Sequence, residues 1–396
     1  MMGLAFVVTT LVYPYVLAFA RKHKIVDNPN ARKLQHEPVP VMGGSAVFIG
    51  IMVAVLGCYI CAPNRAFLRV IALLGVIYAV GFWDDIKDLS AVFRLILDFG
   101  VVWLTIVLLG MKIDDFNGLW GLNQIPDAVS IPLSLIAGVG ITNAINLIDG
   151  IDGYCSSFIM MACACYAVIF FYSGDMMMFG VALIAIGALL PFFFHNVFGK
   201  KSKMFMGDGG SLMLGVLLVM FTFRLLSKNS TCAFFVDRGI SRTAMALAIL
   251  AVPVFDTLRV MVSRIVRKQS PFCPDKTHLH HLFLDMNYSH LATSGTIVFC
   301  NLLIIILLMV CWKLGAGIDL QNYIVIAAAL LFTWGFYFFM DGQHRKNNGE
   351  GSAVFKRLSK KEPTAASGAV WQFIRRVVDS RFLGSGFMKD EAVEES

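Results

Sequence analysis

Four polar side chains recur at three-residue intervals where a long apolar stretch ends. They are Asn143, Asn146, Asp149 and Asp152, and the stretch before them is long enough to lie in a membrane. Residues three apart are neighbours on a helix, so consecutive members of this set can act on one ligand. An unpaired carboxylate is costly to remove from water, and ionisable groups at membrane depth usually face a cation, a ligand or water. The set therefore predicts a functional site.

Two further acidic motifs, one at Asp84 and one at Asp208, could also bind a cation or a phosphate. Asp84 and Asp85 are adjacent carboxylates, whose repulsion must be offset by a cation, a proton or a lysine such as Lys87. Asp208 lies between glycines, directly before an apolar stretch that is expected to begin as a helix at Ser211. A carboxylate at the start of a helix suits a hard divalent cation that is shared with phosphate. These clusters predict sites for a metal and a phosphate.

The segment 275–281 contains three histidines, His278, His280 and His281. Imidazole can contact diphosphate or move protons near neutral pH. A zinc site is disfavoured, because no Cys or Glu lies at a fitting spacing. We expect these histidines to contact or position phosphate. Together with the carboxylates and the glycine-rich segments, they suit phosphoryl transfer, in which a protein mainly positions the reactants and offsets charge.

The composition predicts a membrane protein. Hydrophobic residues make up 58% of the chain and charged residues 15%, and the mean hydropathy is +0.73. Nucleic-acid binding is excluded as a class, because no basic run interleaved with aromatic residues is present. The expected fold is an all-α polytopic membrane protein with about eleven transmembrane helices, near 2–20, 43–61, 66–83, 91–110, 131–148, 155–173, 176–194, 211–226, 243–262, 292–312 and 321–340.

Alternating the connections places every polar motif on one face. That face contains most of the lysines and arginines of the connections, so the positive-inside rule predicts that it is cytoplasmic and that the N-terminus lies outside. Residues 1–340 would form the integral membrane domain, and 341–396 a cytoplasmic tail. Within the tail, 370–378 is amphipathic, and it could be solvated or form a helix at the membrane interface.

The motifs resemble those of the polyprenyl-phosphate N-acetylhexosamine-1-phosphate transferases over about residues 1–340. The matching motifs, in order, are R-K-x-x-H at Arg32, P-x-x-G-G at Pro40, D-D-x-x-D at Asp84, N-x-x-N-x-x-D-G-x-D-G at Asn143, F-M-G-D-x-G-S at Phe205 and D-x-x-H-x-H-H at Asp275.

The resemblance implies a bacterial inner-membrane enzyme with its active site facing the cytoplasm. It would transfer HexNAc-1-phosphate from a UDP-sugar to undecaprenyl phosphate, giving a lipid-diphosphate sugar and UMP, as the first step of envelope glycan assembly such as O-antigen, teichoic acid or capsule. Mg²⁺ is the implied cofactor, with Mn²⁺ as a candidate substitute, and a homodimer is a candidate assembly.

The resemblance also implies a role for each motif residue. Asp84 and Asp85 would act on the lipid phosphate. The implied catalytic set is Asp84, Asp85, Asp149, Asp208 and His278. The implied metal site is Asp208 with Asn146 and Asp149 close to it. The implied substrate contacts include Asn143, and Asp152, Phe205 and Asn196 would contact uridine. His280 and His281, with His278, would hold the diphosphate. Lys33 and His36 would line the entry.

Several alternatives remain open at this point. The order His278-Leu-His280-His281 favours UDP-GlcNAc over the muramoyl-pentapeptide substrate, whose branch typically has three consecutive histidines. A phospho-MurNAc-pentapeptide transferase is therefore one alternative. An intramembrane prenyltransferase is another, because Asp84 to Asp88 spells D-D-x-x-D. An ion transporter is disfavoured, since transporter sites usually lie near the bilayer midplane.

Overall fold

The expected helical membrane architecture is confirmed in a computed structural model, which describes residues 1–27, 38–87, 89–232, 235, 237–271, 277–286, 288–346 and 369–383. Ten helices of this part are long and apolar enough to cross a membrane, and a bent helix pair brings the number to 11. Each expected span coincides with a helix or a helix pair. The sheets of the described part are two short antiparallel hairpins.

The elements follow one another along the chain as helices with two short hairpins between them. They are α1 (Met2–Lys22), β1 (Val26–Asp27), β2 (Val39–Pro40), α2 (Gly43–Cys61), α3 (Arg65–Lys87), α4 (Ala91–Leu109), β3 (Asp115–Leu119), β4 (Leu122–Gln124), α5 (Asp127–Leu147) with a 3₁₀ turn (Ile148–Gly150), α6 (Tyr154–Tyr172), α7 (Met176–Phe198), α8 (Gly207–Leu226), α9 (Arg242–Ile249), α10 (Ala251–Val266), α11 (Leu279–Asp285), α12 (His290–Lys313), α13 (Ile318–Leu330), a π turn (Leu331–Gly335), α14 (Phe336–Lys346) and α15 (Ala369–Leu383).

Helix α8 is the central helix, and 94% of the residues in its most apolar 18-residue stretch are buried. It packs against α2, α3, α5, α6 and α9. No charged side chain occurs between Ser211 and Arg224, and a helix that is apolar all round is expected to be buried. Glycines allow the closest crossings: a Cβ on Gly81 would lie 2.6 Å from the carbonyl oxygen of Asp208. The end of α3 therefore lies directly against the start of α8.

The start of α8 differs from the expectation. The helix begins at Gly207, four residues before the expected start at Ser211, and its N-cap residue, Met206, provides no side-chain cap. Asp208 consequently lies inside the first helical turn and is not a helix cap. N–H groups of this early turn donate to Asp85 of α3, and glycines at the crossings let α2 and α3 pack closely around it.

The expected ninth span, 243–262, is also different, because it consists of two helices, α9 and α10, that are bent by 73°. Pro253 lies in the first turn of α10 and has no N–H to donate. The backbone groups at the break are satisfied by Asn301 of α12, which accepts from the N–H of Val252 and donates to the carbonyls of Ala248 and Ile249. A buried polar side chain thus stabilises a break that apolar surroundings would otherwise penalise.

The segment before α2 positions Phe205 by backbone pairing. The N–H of Phe205 donates to the carbonyl of Pro40 at 2.8 Å, and the N–H of Gly43 donates to the carbonyl of Phe205 at 2.8 Å. Gly44 donates in the same way to Met206. The first hairpin and the segment before α8 therefore form one unit.

The crossing of α2 and α8 gives a test of this packing. A Cβ on Gly44 would lie 2.4 Å from Cα of Gly210, so we expect Gly44→Ala to destabilise the protein by about 1–3 kcal/mol. Gly75→Ala in α3 is the matched control, because a Cβ there would have nothing within 4 Å and alanine favours helix. The readout is the midpoint of thermal unfolding in detergent. Equal midpoints for the two variants would contradict the packing.

Candidate active site

Asp85 joins the end of α3 to the start of α8. Its carboxylate oxygens accept hydrogen bonds from the backbone N–H groups of Asp208 at 2.8 Å and Gly209 at 3.0 Å. These N–H groups belong to the first helical turn, where a negative charge is favoured by the helix dipole. Both oxygens of Asp85 are therefore engaged in fixing the position of Asp208.

Arg94 of α4 bridges acidic residues of α3 and α8 and an asparagine of α5. Its Nη1 lies 3.1 Å from Oδ2 of Asp84 and 3.4 Å from Oδ2 of Asp208. Its Nη2 donates to Oδ1 of Asn146. The sequence suggested Lys87 as a countercharge, and it gave Arg94 no role. The overlooked signal is an arginine near the start of a mostly apolar span that follows an aspartate pair.

The side chain of Asn146 connects the end of α5 to α8. Its Nδ2 donates to Oδ1 of Asp208 at 2.6 Å and to Oγ of Ser211 at 2.8 Å. The carboxyl of Asp149 accepts from the backbone N–H of Gly207 and is close enough to Asp85 and Asp208 to interact with their charges. The structure thus brings together the acidic residues of α3, α5 and α8.

The donor set of this cluster fits a magnesium ion that is completed by substrate. Among the described residues, no three His, Cys, Asp or Glu side chains close around one point as a full metal cage. Mg²⁺ is usually bound by one or two carboxylates together with phosphate oxygens, so an open site is what it needs. Arg94 can offset one carboxylate charge of Asp84, Asp85, Asp149 and Asp208, and a divalent cation would offset two more.

A second cluster forms around Asp152, beyond the end of α5. Its Oδ2 lies 2.7 Å from Nζ of Lys203 and 2.9 Å from Nδ1 of His290, and Nζ of Lys203 lies 5.6 Å from the ring centroid of Phe205. Burial would raise the pKa of the Asp152 carboxyl, but the hydrogen bond from His290 and the charge of Lys203 outweigh it and lower that pKa. Oδ1 of Asp152 is buried and has no hydrogen-bond partner among the described residues.

Two of the expected substrate contacts are engaged within the protein. Oδ1 of Asn196 accepts from the N–H of Gly153 at 2.7 Å, and its Nδ2 donates to the carbonyl of Met204 at 2.9 Å. Asn196 thus connects the start of α6 to the segment before α8, which indicates a positioning role where the resemblance implied a uridine contact. Asn143 donates to Oδ2 of Asp98 on α4 at 3.2 Å.

His278 is oriented by a buried carboxylate that the sequence did not single out. Oδ2 of Asp256 lies 3.0 Å from Nδ1 of His278, and Arg259 donates to Oδ1 of Asp256 at 2.8 Å. The guanidinium of Arg259 in turn lies 3.6 Å from the ring centroid of Tyr337. Nε2 of His278 is buried and has no partner in the described part of the chain, so it is available for a ligand.

The other histidines follow His278 toward the end of α5. The rings of His278 and His280 are near parallel with centroids 5.7 Å apart, and the His281 ring is 4.3 Å from that of His280. A Cβ on Gly150 would lie 3.0 Å from Nε2 of His280. The His280 ring therefore lies against Gly150, the residue that follows Asp149 in the sequence. Burial lowers the pKa of His280 well below its usual value, and the neighbouring histidines lower it further. The expected contacts Lys33 and His36 lie outside the described residues.

Comparison with known proteins identifies similar chains. The family model for glycosyl transferase family 4 matches residues 66–226. A probable undecaprenyl-phosphate N-acetylglucosaminyl 1-phosphate transferase of Bacillus subtilis is 34% identical over 291 residues, which cover 72% of this chain and 78% of the relative. A decaprenyl-phosphate N-acetylglucosaminephosphotransferase of Mycolicibacterium smegmatis is 30% identical over 313 residues, covering 72% and 75%. An undecaprenyl-phosphate alpha-N-acetylglucosaminyl 1-phosphate transferase of Escherichia coli K12 is 28% identical over 289 residues, covering 72% and 76%.

The role of Arg94 as a countercharge can be tested without an activity assay. We expect Arg94→Gln to lower the midpoint of thermal unfolding, because Asp84 and Asp208 lose the guanidinium between them. Millimolar Mg²⁺ should raise the midpoint more in this variant than in the wild type, since a cation can then replace the lost charge. Arg65→Gln, at the exposed far end of α3, is the control. An equal response to Mg²⁺ in all three proteins would show that Arg94 is not a countercharge for the cluster.

Proposed function

Since the chain belongs to glycosyl transferase family 4, we propose that it transfers N-acetylglucosamine 1-phosphate from UDP-N-acetylglucosamine to undecaprenyl phosphate. An oxygen of the lipid phosphate attacks the sugar-linked phosphorus of the nucleotide sugar. The bond between the two phosphates breaks, and UMP leaves. The observation that carries the proposal is the convergence of Asp84, Asp85, Asp208 and Arg94 at helix ends in a chain with these relatives.

We assign the acceptor half of the site to Arg94 and Asp84. A guanidinium is a good partner for phosphate oxygens, and Arg94 already contacts two carboxylates that a phosphate could replace. Asp84 would then be released from Arg94 to take the proton of the lipid phosphate. Asp85 is less suited to that step, because both of its oxygens accept backbone hydrogen bonds from α8. Its part is to fix Asp208.

The donor half of the site is assigned to Asp152, Phe205 and the histidines. The unpartnered Oδ1 of Asp152 can accept a hydrogen bond from the imide N–H of uracil, and the ring of Phe205 offers a face for stacking. Asp256 fixes the His278 ring through Nδ1, and Nε2 can donate to a diphosphate oxygen when the ring is protonated. His280 stays neutral near pH 7, because its pKa is strongly lowered.

Mg²⁺ is proposed as the cofactor, with Mn²⁺ as a substitute. Asp208, together with Asn146 and Asp149, would hold it, and when bound it would supply positive charge to the diphosphate oxygens. The remaining charge balance comes from this chain, through Arg94 and the N–H groups at the start of α8.

We further propose that the site faces the cytoplasm of a bacterial cell. The support is twofold: the lysines and arginines of the connections are concentrated on the side of the site, and a nucleotide sugar is a soluble cytoplasmic substrate. The enzyme would thus work at the inner leaflet of the inner membrane, where both substrates are available.

Release of UMP is the direct test. Purified protein with undecaprenyl phosphate, Mg²⁺ and UDP-GlcNAc should release UMP, and EDTA should stop the release. UDP-GalNAc and UDP-MurNAc-pentapeptide in parallel reactions distinguish the substrate branches. We expect Asp208→Asn to lower kcat by about 100-fold or more, because it removes a charge at the metal. Asp237→Asn, the same substitution at an exposed residue, is the control.

Two results would decide against this assignment. If no UDP-sugar yields UMP while the protein remains folded, the function is wrong. If Asp208→Asn and Asp237→Asn are equally active, Asp208 does not belong to the metal site.

A further inference from the structure

The tail contains a helix that packs against the membrane domain. Helix α15 includes 370–378, the segment expected to be either solvated or a helix at the membrane interface, and it lies against α7. An open, mostly apolar groove of about 350 Å³ lies between α1, α7 and α15. Apolar contact is not directional, and beside an open groove it defines the position of a helix only weakly. Directional polar contacts can define the register of α15 where apolar contact does not.

Asp379 supplies such contacts. It is buried, with 6% of its surface exposed, although it belongs to an amphipathic helix near a chain end. Its Oδ1 accepts from Oγ of Ser202 at 2.7 Å and from the N–H of Ser202 at 3.2 Å, and its Oδ2 accepts from the N–H of Lys200 at 3.2 Å. Nε of Arg375, one helical turn earlier, donates to the carbonyl of Phe198 at 3.3 Å. A buried carboxylate with three donors is a specific anchor.

The anchored segment leads directly into the donor half of the site. Lys203 follows Ser202, its Nζ contacts Asp152 at 2.7 Å, and it lies 5.6 Å from the ring centroid of Phe205. The carbonyl of Ser202 also accepts from the hydroxyl of Tyr13 on α1 at 2.8 Å. Segment 199–202 is thus fixed from α1 on one side and from α15 on the other.

We propose that Asp379 is a positioning residue for the nucleotide half of the site, acting through segment 199–202 on Lys203 and Phe205. Helix α15 is then a working part of the enzyme and more than a solvated tail. The inference rests on the proposed function, because it concerns binding of the nucleotide sugar.

The test compares Michaelis constants for the two substrates. In Asp379→Ala the KM for UDP-GlcNAc should rise about tenfold, the effect of losing a charged hydrogen-bond acceptor, while the KM for undecaprenyl phosphate stays unchanged. Asp379→Asn should show a smaller rise, because its amide oxygen still accepts from Ser202. Ser380→Ala, an exposed neighbour on the same helix, is the control and should equal the wild type. A chain that ends at residue 346 should show the same selective rise.

Other outcomes overturn the inference. An unchanged KM for UDP-GlcNAc in both Asp379→Ala and the shortened chain shows that α15 does not act on the site. Equal rises of both KM values together with a lower thermal midpoint show general stabilisation only. Failure of the wild type to release UMP would instead refute the proposed function, so the two failures are distinguishable.

Discussion

The repulsion among Asp84, Asp85, Asp149 and Asp208 is the constraint on which the rest of this site depends. Carboxylates this close are unfavourable together unless positive charge or hydrogen-bond donors offset them. The fold provides both. Arg94 lies between Asp84 and Asp208, and backbone N–H groups at the start of α8 donate to Asp85 and Asp149. Under the proposed function, such a site would attract a divalent cation and exchange the Arg94 contacts for phosphate.

The packing of the membrane helices positions the side chains of this cluster. The burial of α8 fixes Asp208, which Arg94, Asn146 and Asp85 contact, and the glycines at its crossings allow α2 and α3 to approach its first turn. The break between α9 and α10 likewise positions a side chain of the site, at the histidine segment. It is stabilised by Asn301, and α10 presents Asp256 to His278 of the following segment. Rigid helices thereby position side chains that come from distant parts of the sequence.

Much of this arrangement could be predicted from the sequence, because long apolar runs define spans and clustered carboxylates at their ends are costly without a function. The apolar runs predict the positions of the spans, and the carboxylates predict that Asp84, Asp149 and Asp208 converge. The roles of Arg94 and Asp256 were not predicted, since a charged residue within a span does not reveal which distant residue it pairs with. The 73° bend was equally hidden, because the residue that satisfies it, Asn301, lies far along the chain.

A double-mutant cycle on Arg94 and Asp208 tests the central claim most directly. The measurement is the midpoint of thermal unfolding of wild type, Arg94→Gln, Asp208→Asn and the double variant, without added metal. If Arg94 offsets the charge of Asp208, removing that charge should restore part of the stability that Arg94→Gln loses, so the two effects are not additive. Additive effects, or a double variant less stable than Arg94→Gln, would contradict the account.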